Sequence, residues 1–143
     1  MTDYKFKVLP DIATADVAYE VWGDSLNELF EQAAYAVTDC GVELSTVEEK
    51  EERNIEVEDE DIEHLLFDFL SELIFLKDAE LFLPKKVIVN IDEKNHKLQA
   101  IIKGEAIDQQ KHKLKTDVKA MTYHMFKLEK MDKGYKATFI LDI

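Results

Sequence analysis

The 143-residue chain is 46% hydrophobic with a formal net charge of −13, the profile of one globular domain, 1–143, large enough to bury a core. No apolar run approaches the ~20 residues that cross a bilayer, and the N-terminus has no signal-peptide core; with Cys40 the single cysteine, a reducing, cytoplasmic setting without membrane or disulfide is expected. The charge repels phosphate at long range, and Arg53 is the one arginine beside 17 lysines, so direct nucleic-acid binding is not expected.

In chain order, residues 4–9 and 16–22 read as strands. Ser25-Leu26-Asn27-Glu28 reads as a capping box, in which Ser25 caps the backbone and Glu28 reaches back. Leu26, Leu29, Phe30, Ala33, Ala34 and Val37 then recur at helical spacing to about Asp39, with Gly41 as the stop. After a strand at 53–58, the acids Glu58, Asp59, Glu60 and Asp61 suit the N-terminus of a second helix. Its stripe is Ile62, Leu65, Leu66, Phe69, Leu70 and Leu73. Residues Leu73 to Leu76 are apolar all round and predict a buried end.

Strands at 84–92 and 97–106 flank the polar loop Asp92–His96, and strands at 118–129 and 135–142 flank Lys130–Gly134, where Gly134 is free to take positive φ. In 118–129 strict alternation places Val118, Ala120, Thr122, His124, Phe126 and Leu128 on one face. Lys119, Met121, Tyr123, Met125 and Lys127 take the other. The whole predicts an α+β fold, two main helices packed on a mostly antiparallel sheet with two C-terminal hairpins.

Charge is uneven. Residues 1–80 carry a net −18 and residues 81–143 a net +5, so the first half suits a basic protein partner or simply confers solubility. No Cys/His metal spacing, phosphate-binding glycine loop or nucleophile elbow is present.

Three groups of residues are candidates for chemistry. The apolar terminus Phe139-Ile140-Leu141-Asp142-Ile143 predicts a docked strand, holding the Asp142 side chain near the main-chain carboxylate of Ile143. If the terminal strands are neighbours, Asp16 joins Asp142 in a pair able to collect a hard cation; otherwise both are ordinary strand-end acids. Lys119, Thr122, Tyr123 and His124 crowd one strand, either as an acid–base set or with His124 half-buried against a neighbour. The loop from Gly104 to His112 gathers Glu105, Asp108 and His112, as a binding edge or as a solvated connection.

Three ordered blocks carry a resemblance: Thr14-Ala15-Asp16-Val17 with Trp22-Gly23; Leu65-Leu66-Phe67-Asp68-Phe69-Leu70-Ser71-Glu72-Leu73; and Lys119-Ala120-Met121-Thr122-Tyr123-His124 with the terminal Leu141-Asp142-Ile143. Together, over nearly the whole chain, they resemble the archease family. The resemblance implies a non-enzymatic accessory protein of the GTP- and manganese-dependent tRNA-splicing RNA ligase, promoting its guanylylation and multiple turnover. It implies a divalent-metal site at Asp16, Asp142 and Ile143, with Ca²⁺ foremost and Mg²⁺ or Mn²⁺ also suited to oxygen ligands. It also implies a functional strand at Lys119, Thr122, Tyr123 and His124. One departure stands out. The family has an acid and a histidine immediately before Thr-Ala-Asp, where this chain has Ile12 and Ala13, with Asp11 one residue earlier. Two other classes stay open: a chaperone or oligomerisation modulator for a tRNA-modifying enzyme such as a methyltransferase, and a metal-dependent hydrolase built on Asp16, Asp142 and His124.

Overall fold

The computed structural model describes residues 4–9 and 16–143. Within them the order is β1 (Phe6–Leu9), β2 (Asp16–Gly23), α1 (Leu26–Gly41), a 3₁₀ turn at Leu44–Thr46, β3 (Glu51–Glu58), α2 (Ile62–Glu80), β4 (Phe82–Asp92), β5 (Lys97–Ala106), β6 (Ala120–Lys130) and β7 (Tyr135–Asp142). The α+β class, both helices and both hairpins are as the sequence predicts. The sheet divides in two: β1-β2-β7-β6 and β3-β5-β4, with every pair antiparallel. The two predicted hairpins, β4–β5 and β6–β7, therefore belong to different sheets.

Helix α1 joins the sheets, and its sequence shows how. Leu29, Phe30, Ala33 and Ala34 are fully buried, and the alanines let backbone approach closely. Phe30 stacks on Phe69 of α2 at 6.1 Å. A second stripe is polar. Asn27 Oδ1 accepts from the Ile91 N–H at 3.0 Å, Glu31 Oε2 from Val89 at 2.9 Å and the Tyr35 hydroxyl oxygen from Val87 at 3.1 Å. Four helical residues rise about 6 Å and two strand residues about 6.7 Å, so side chains at i, i+4 and i+8 match alternate N–H groups of edge strand β4. That edge, which would otherwise invite pairing with another chain, is occupied. Gln32 Oε1, buried on the neighbouring stripe, accepts from the Lys5 N–H beside β1 at 2.8 Å, tying α1 to the other sheet.

The helix ends differ in detail from the sequence reading. Ser25 Oγ accepts from the Glu28 N–H at 3.1 Å, but Glu28 returns to the Asp24 N–H at 2.7 Å, one residue outside the box. Gly41 is the last helical residue, not a left-handed stop; Val42 caps in extended conformation. Its missing side chain matters for another reason, because a Cβ would sit 3.3 Å from the Thr116 carbonyl. The segment 114–118 lies close against this end, and Lys115 and Thr116 donate to the otherwise orphaned Gly41 and Cys40 carbonyls at 2.9 and 3.1 Å. Asp61 caps α2, accepting from the His64 N–H at 2.8 Å. The far end of α2 is not buried all round: Leu73, Ile74 and Leu76 are inside, whereas Phe75 is 65% exposed.

Strand β6 departs most from its predicted alternation. It pairs with β7 from Ala120↔Asp142 to Thr122↔Ile140, then resumes at Lys127↔Thr138. Five residues of β6 span two of β7, so three are surplus, an odd number that inverts the faces. Before the bulge Met121 is buried; after it Phe126 and Leu128 are the residues that pack on the core. Gly134, at φ 84°, makes the predicted turn.

Candidate metal centre and the strand beside it

The acidic corner is built by register. In β2 and β7, Asp16 and Asp142 are direct cross-strand partners, and Ala120 of β6 faces Asp142 from the other side. Residues directly opposite lie on one face of a sheet with Cα atoms about 4.5–5.5 Å apart. Val17, Tyr19 and Val21 of β2 and Ala137, Phe139 and Leu141 of β7 point into the core. Alternation therefore turns Asp16 and Asp142 to the opposite face, beside the buried pair Ala18 and Ile140, with Asp142 exposed and Asp16 half-buried. Further along that face Glu20 is held by Lys7 at 3.3 Å and Lys136 at 2.9 Å, whose hydrogen bonds hold its carboxyl below the usual carboxylate range. Among the described residues no lysine or arginine forms such a bridge with Asp16 or Asp142.

Ile143 packs its half-buried side chain against the core, fixing the main chain beyond Asp142. The Asp142 carbonyl accepts from the Lys119 N–H at 2.8 Å. The register thus brings two acids and the last main-chain residue to one corner, and oxygen is the donor type that Ca²⁺ and Mg²⁺ take. Among the described residues no group of three or more His, Cys, Asp and Glu side chains gathers for a metal, so a site here draws on main-chain oxygens as well as the two carboxylates. Asp11 and Thr14-Ala15 lie outside the described residues.

The four residues of the strand motif separate. The exposed Lys119 contributes its backbone to the corner. Thr122 is half-buried, and its Oγ1 accepts from the His124 N–H at 3.1 Å. His124 is exposed, not half-buried against a neighbour. Tyr123 stacks on Phe67 of α2. The motif therefore does not assemble as one acid–base set.

The loop expected as a binding edge or solvated connection is solvated at its centre, where Asp108, Gln109 and Gln110 are exposed, but tied down at its ends. Glu105 and His112 are 6% and 4% exposed. His112 Nδ1 accepts from the Asp108 N–H at 2.9 Å, so Nε2 carries the proton donated to Glu105 at 3.0 Å. Glu105 also accepts from Lys111 Nζ at 2.8 Å and the Glu48 N–H at 2.7 Å. Burial pushes its carboxyl up, but these donors outweigh burial and hold it down to about 2. Cys40 is buried, and burial pushes its thiol up and away from reactivity.

An α+β protein of two helix-braced antiparallel sheets, with an acidic corner where β2 and the last strand meet, is the class these features define. The model of the Archease protein family (MTH1598/TM1083) matches residues 6–143, and the chain belongs to that family. It is 43% identical to protein archease of Sulfurisphaera tokodaii over 130 residues and 44% identical to that of Pyrococcus abyssi over 133, in each case 91% of this chain and 94% of the relative. The solution structure of Methanobacterium thermoautotrophicum protein 1598 superposes with a TM-score of 0.85 at 37% identity, covering 97% of this chain and 99% of that one. The crystal structure of a Thermotoga maritima archease, described as a possible chaperone, gives 0.67 at 25% identity, covering 94% and 96%. No helix among the described residues is long and apolar enough to cross a membrane.

Proposed function

We propose that this chain is a non-enzymatic activator of the GTP- and manganese-dependent tRNA-splicing RNA ligase. It promotes ligase guanylylation and multiple turnover, and its acidic corner holds a divalent cation through Asp16, Asp142 and the main-chain oxygens of Ile143. The observation that carries the metal reading is the register Asp16↔Asp142, two acids paired across strands with no lysine or arginine bridging either among the described residues. Ca²⁺ fits the donor set first, and Mg²⁺ or Mn²⁺ share its preference for oxygen. A cation held there supplies positive charge of the kind that stabilises phosphoryl transfer. The chain's own part is to hold that charge at an exposed sheet end: Ile143 anchors the strand, and Lys119 fixes the Asp142 carbonyl.

A second reading has one observation in its favour. Phe75 and Leu81, at 65% and 56% exposure, give a chaperone or oligomerisation modulator of a tRNA-modifying enzyme, such as a methyltransferase, apolar surface to work with. Ligation assays with limiting cognate ligase separate the two. Turnover rises with added protein, and the protein alone ligates nothing, if it is the activator. Unchanged turnover, together with suppressed aggregation of a methyltransferase, selects the chaperone.

A further inference from the structure

The β6 bulge carries a feature that the acidic corner does not use. Its surplus residues leave Tyr123, His124 and Met125 exposed, with Met125 at φ 56°, a left-handed conformation that ordinary L-residues seldom adopt. Tyr123 lies flat on Phe67, ring centroids 3.8 Å apart and planes 4° from parallel. Phe126 stands edge-on to both, and the His64 ring lies 6.1 Å away. Because Tyr123 is 59% exposed, the ring face opposite Phe67 meets solvent. The result is a flat aromatic wall on the surface.

Acid rims this wall. Asp68 follows the stacked Phe67 on α2, and Asp61 holds His64, whose ring lies beside Tyr123. In keeping with this, burial first and then Asp59 push the Asp68 carboxyl up to about 6, and burial, with Asp68 and Asp59 adding to it, pushes the Tyr123 phenol up. The neighbouring charges are Glu60, Asp61, His64 and Glu72, and the one cationic group among them, His64, has its Nδ1 committed to Asp61 at 2.8 Å. Among the described residues no lysine or arginine bridges Asp59 or Asp68.

We propose that this wall docks an arginine side chain from a basic segment of a protein partner, its guanidinium over the open face of Tyr123 and its forked N–H groups on Asp59 and Asp68. A planar, weakly hydrated cation stacks on an aromatic face and reaches carboxylates at its edge, which a compact ammonium does less well. A net −18 over residues 1–80 favours a basic protein over nucleic acid. The site stands whether or not the partner is an RNA ligase.

The test titrates tetra-arginine and tetra-lysine peptides into the full chain at low salt, following the ring resonances of Tyr123, Phe67 and His64 by NMR. Tetra-arginine shifts them saturably and binds severalfold tighter than tetra-lysine. Tyr123→Ala weakens tetra-arginine about tenfold, and Tyr123→Phe retains it. The pair Asp59→Asn with Asp68→Asn leaves the aromatic stack in place and loses affinity as Tyr123→Ala does. Equal binding by Tyr123→Ala, unchanged affinity in the double asparagine variant, or shifts confined to the acidic strand β3 overturns the proposal. Failure here leaves ligase activation through Asp16 and Asp142 untouched, and loss of that activity leaves this titration untouched.

Discussion

Two acidic sites in this molecule, the Asp16–Asp142 corner and the Glu105–His112 knot, are opposite in construction. At the knot one carboxylate is buried and accepts from His112, Lys111 and the Glu48 N–H, within 3.0 Å of each. Its lone pairs are spent on the fold, locking the 104–112 loop to the segment after the 3₁₀ turn. At the corner two acids are direct cross-strand partners, Asp142 exposed and Asp16 half-buried, and among the described residues no lysine or arginine bridges either. A carboxylate whose hydrogen bonds are complete inside the protein contributes structure, whereas one without a basic partner keeps its lone pairs available to a ligand.

The sharpest way to break this comparison is to remove the corner. Asp16→Ala and Asp142→Ala each drop ligase turnover to the level without activator, while urea unfolding stays within about 0.5 kcal/mol of the parent, as for other surface changes. Full activation by both purified variants ends the corner's functional role.

The knot behaves the other way. Glu105→Ala strands the buried His112 N–H and costs about 3 kcal/mol, measured by urea unfolding, with activation retained below the unfolding transition. Because Glu105 is held down to about 2 against an ordinary 4.5, its contribution is full above pH 4.5 and fades as pH falls toward 2. The variant's stability therefore loses less than the parent's over that acid window.

Much of this was legible in the sequence, for local reasons. Apolar stripes at 3.6 and turn residues such as Gly134 report helices and hairpins because they depend on near neighbours. The partnership of Asp16 and Asp142 was readable only conditionally, since it depends on the strand that Asp16 opens pairing with the last strand, as β2 and β7 do. The faces of β6 were not readable. Alternation over 118–129 looks unbroken, and the bulge exists only relative to β7, a different segment. Phe67 against Tyr123, and Glu105 against Glu48, likewise join residues far apart in sequence, with no local pattern to announce them.

A smaller effect sharpens the corner as a binding site. A divalent ion stabilises the fold by RT ln(1 + [L]/Kd), about 2.7 kcal/mol at a hundredfold excess over Kd. Millimolar Ca²⁺ raises the melting temperature of the parent and of Glu105→Ala by similar amounts, and that of Asp16→Asn by less. A parent melting temperature blind to Ca²⁺, Mg²⁺ and Mn²⁺ alike removes the corner as a divalent-metal site.

The smallest effect comes from a third pair, Asp59 and Asp68, intermediate between the other two. Burial and then Asp59 raise Asp68 to about 6 from an ordinary 3.8, so the folded state holds a proton there that the unfolded chain releases. The sign is opposite to that of Glu105. The stabilisation is complete below pH 3.8 and is lost as pH rises through about 6. Solvent screens this half-exposed group, which keeps the effect below that of the knot. Melting temperatures between pH 4 and 7 fall less for Asp68→Asn than for the parent, since an amide has no proton to lose. An identical pH slope in the two proteins means that Asp59 and Asp68 do not crowd one another, and that this pair carries no cost for a cation to relieve.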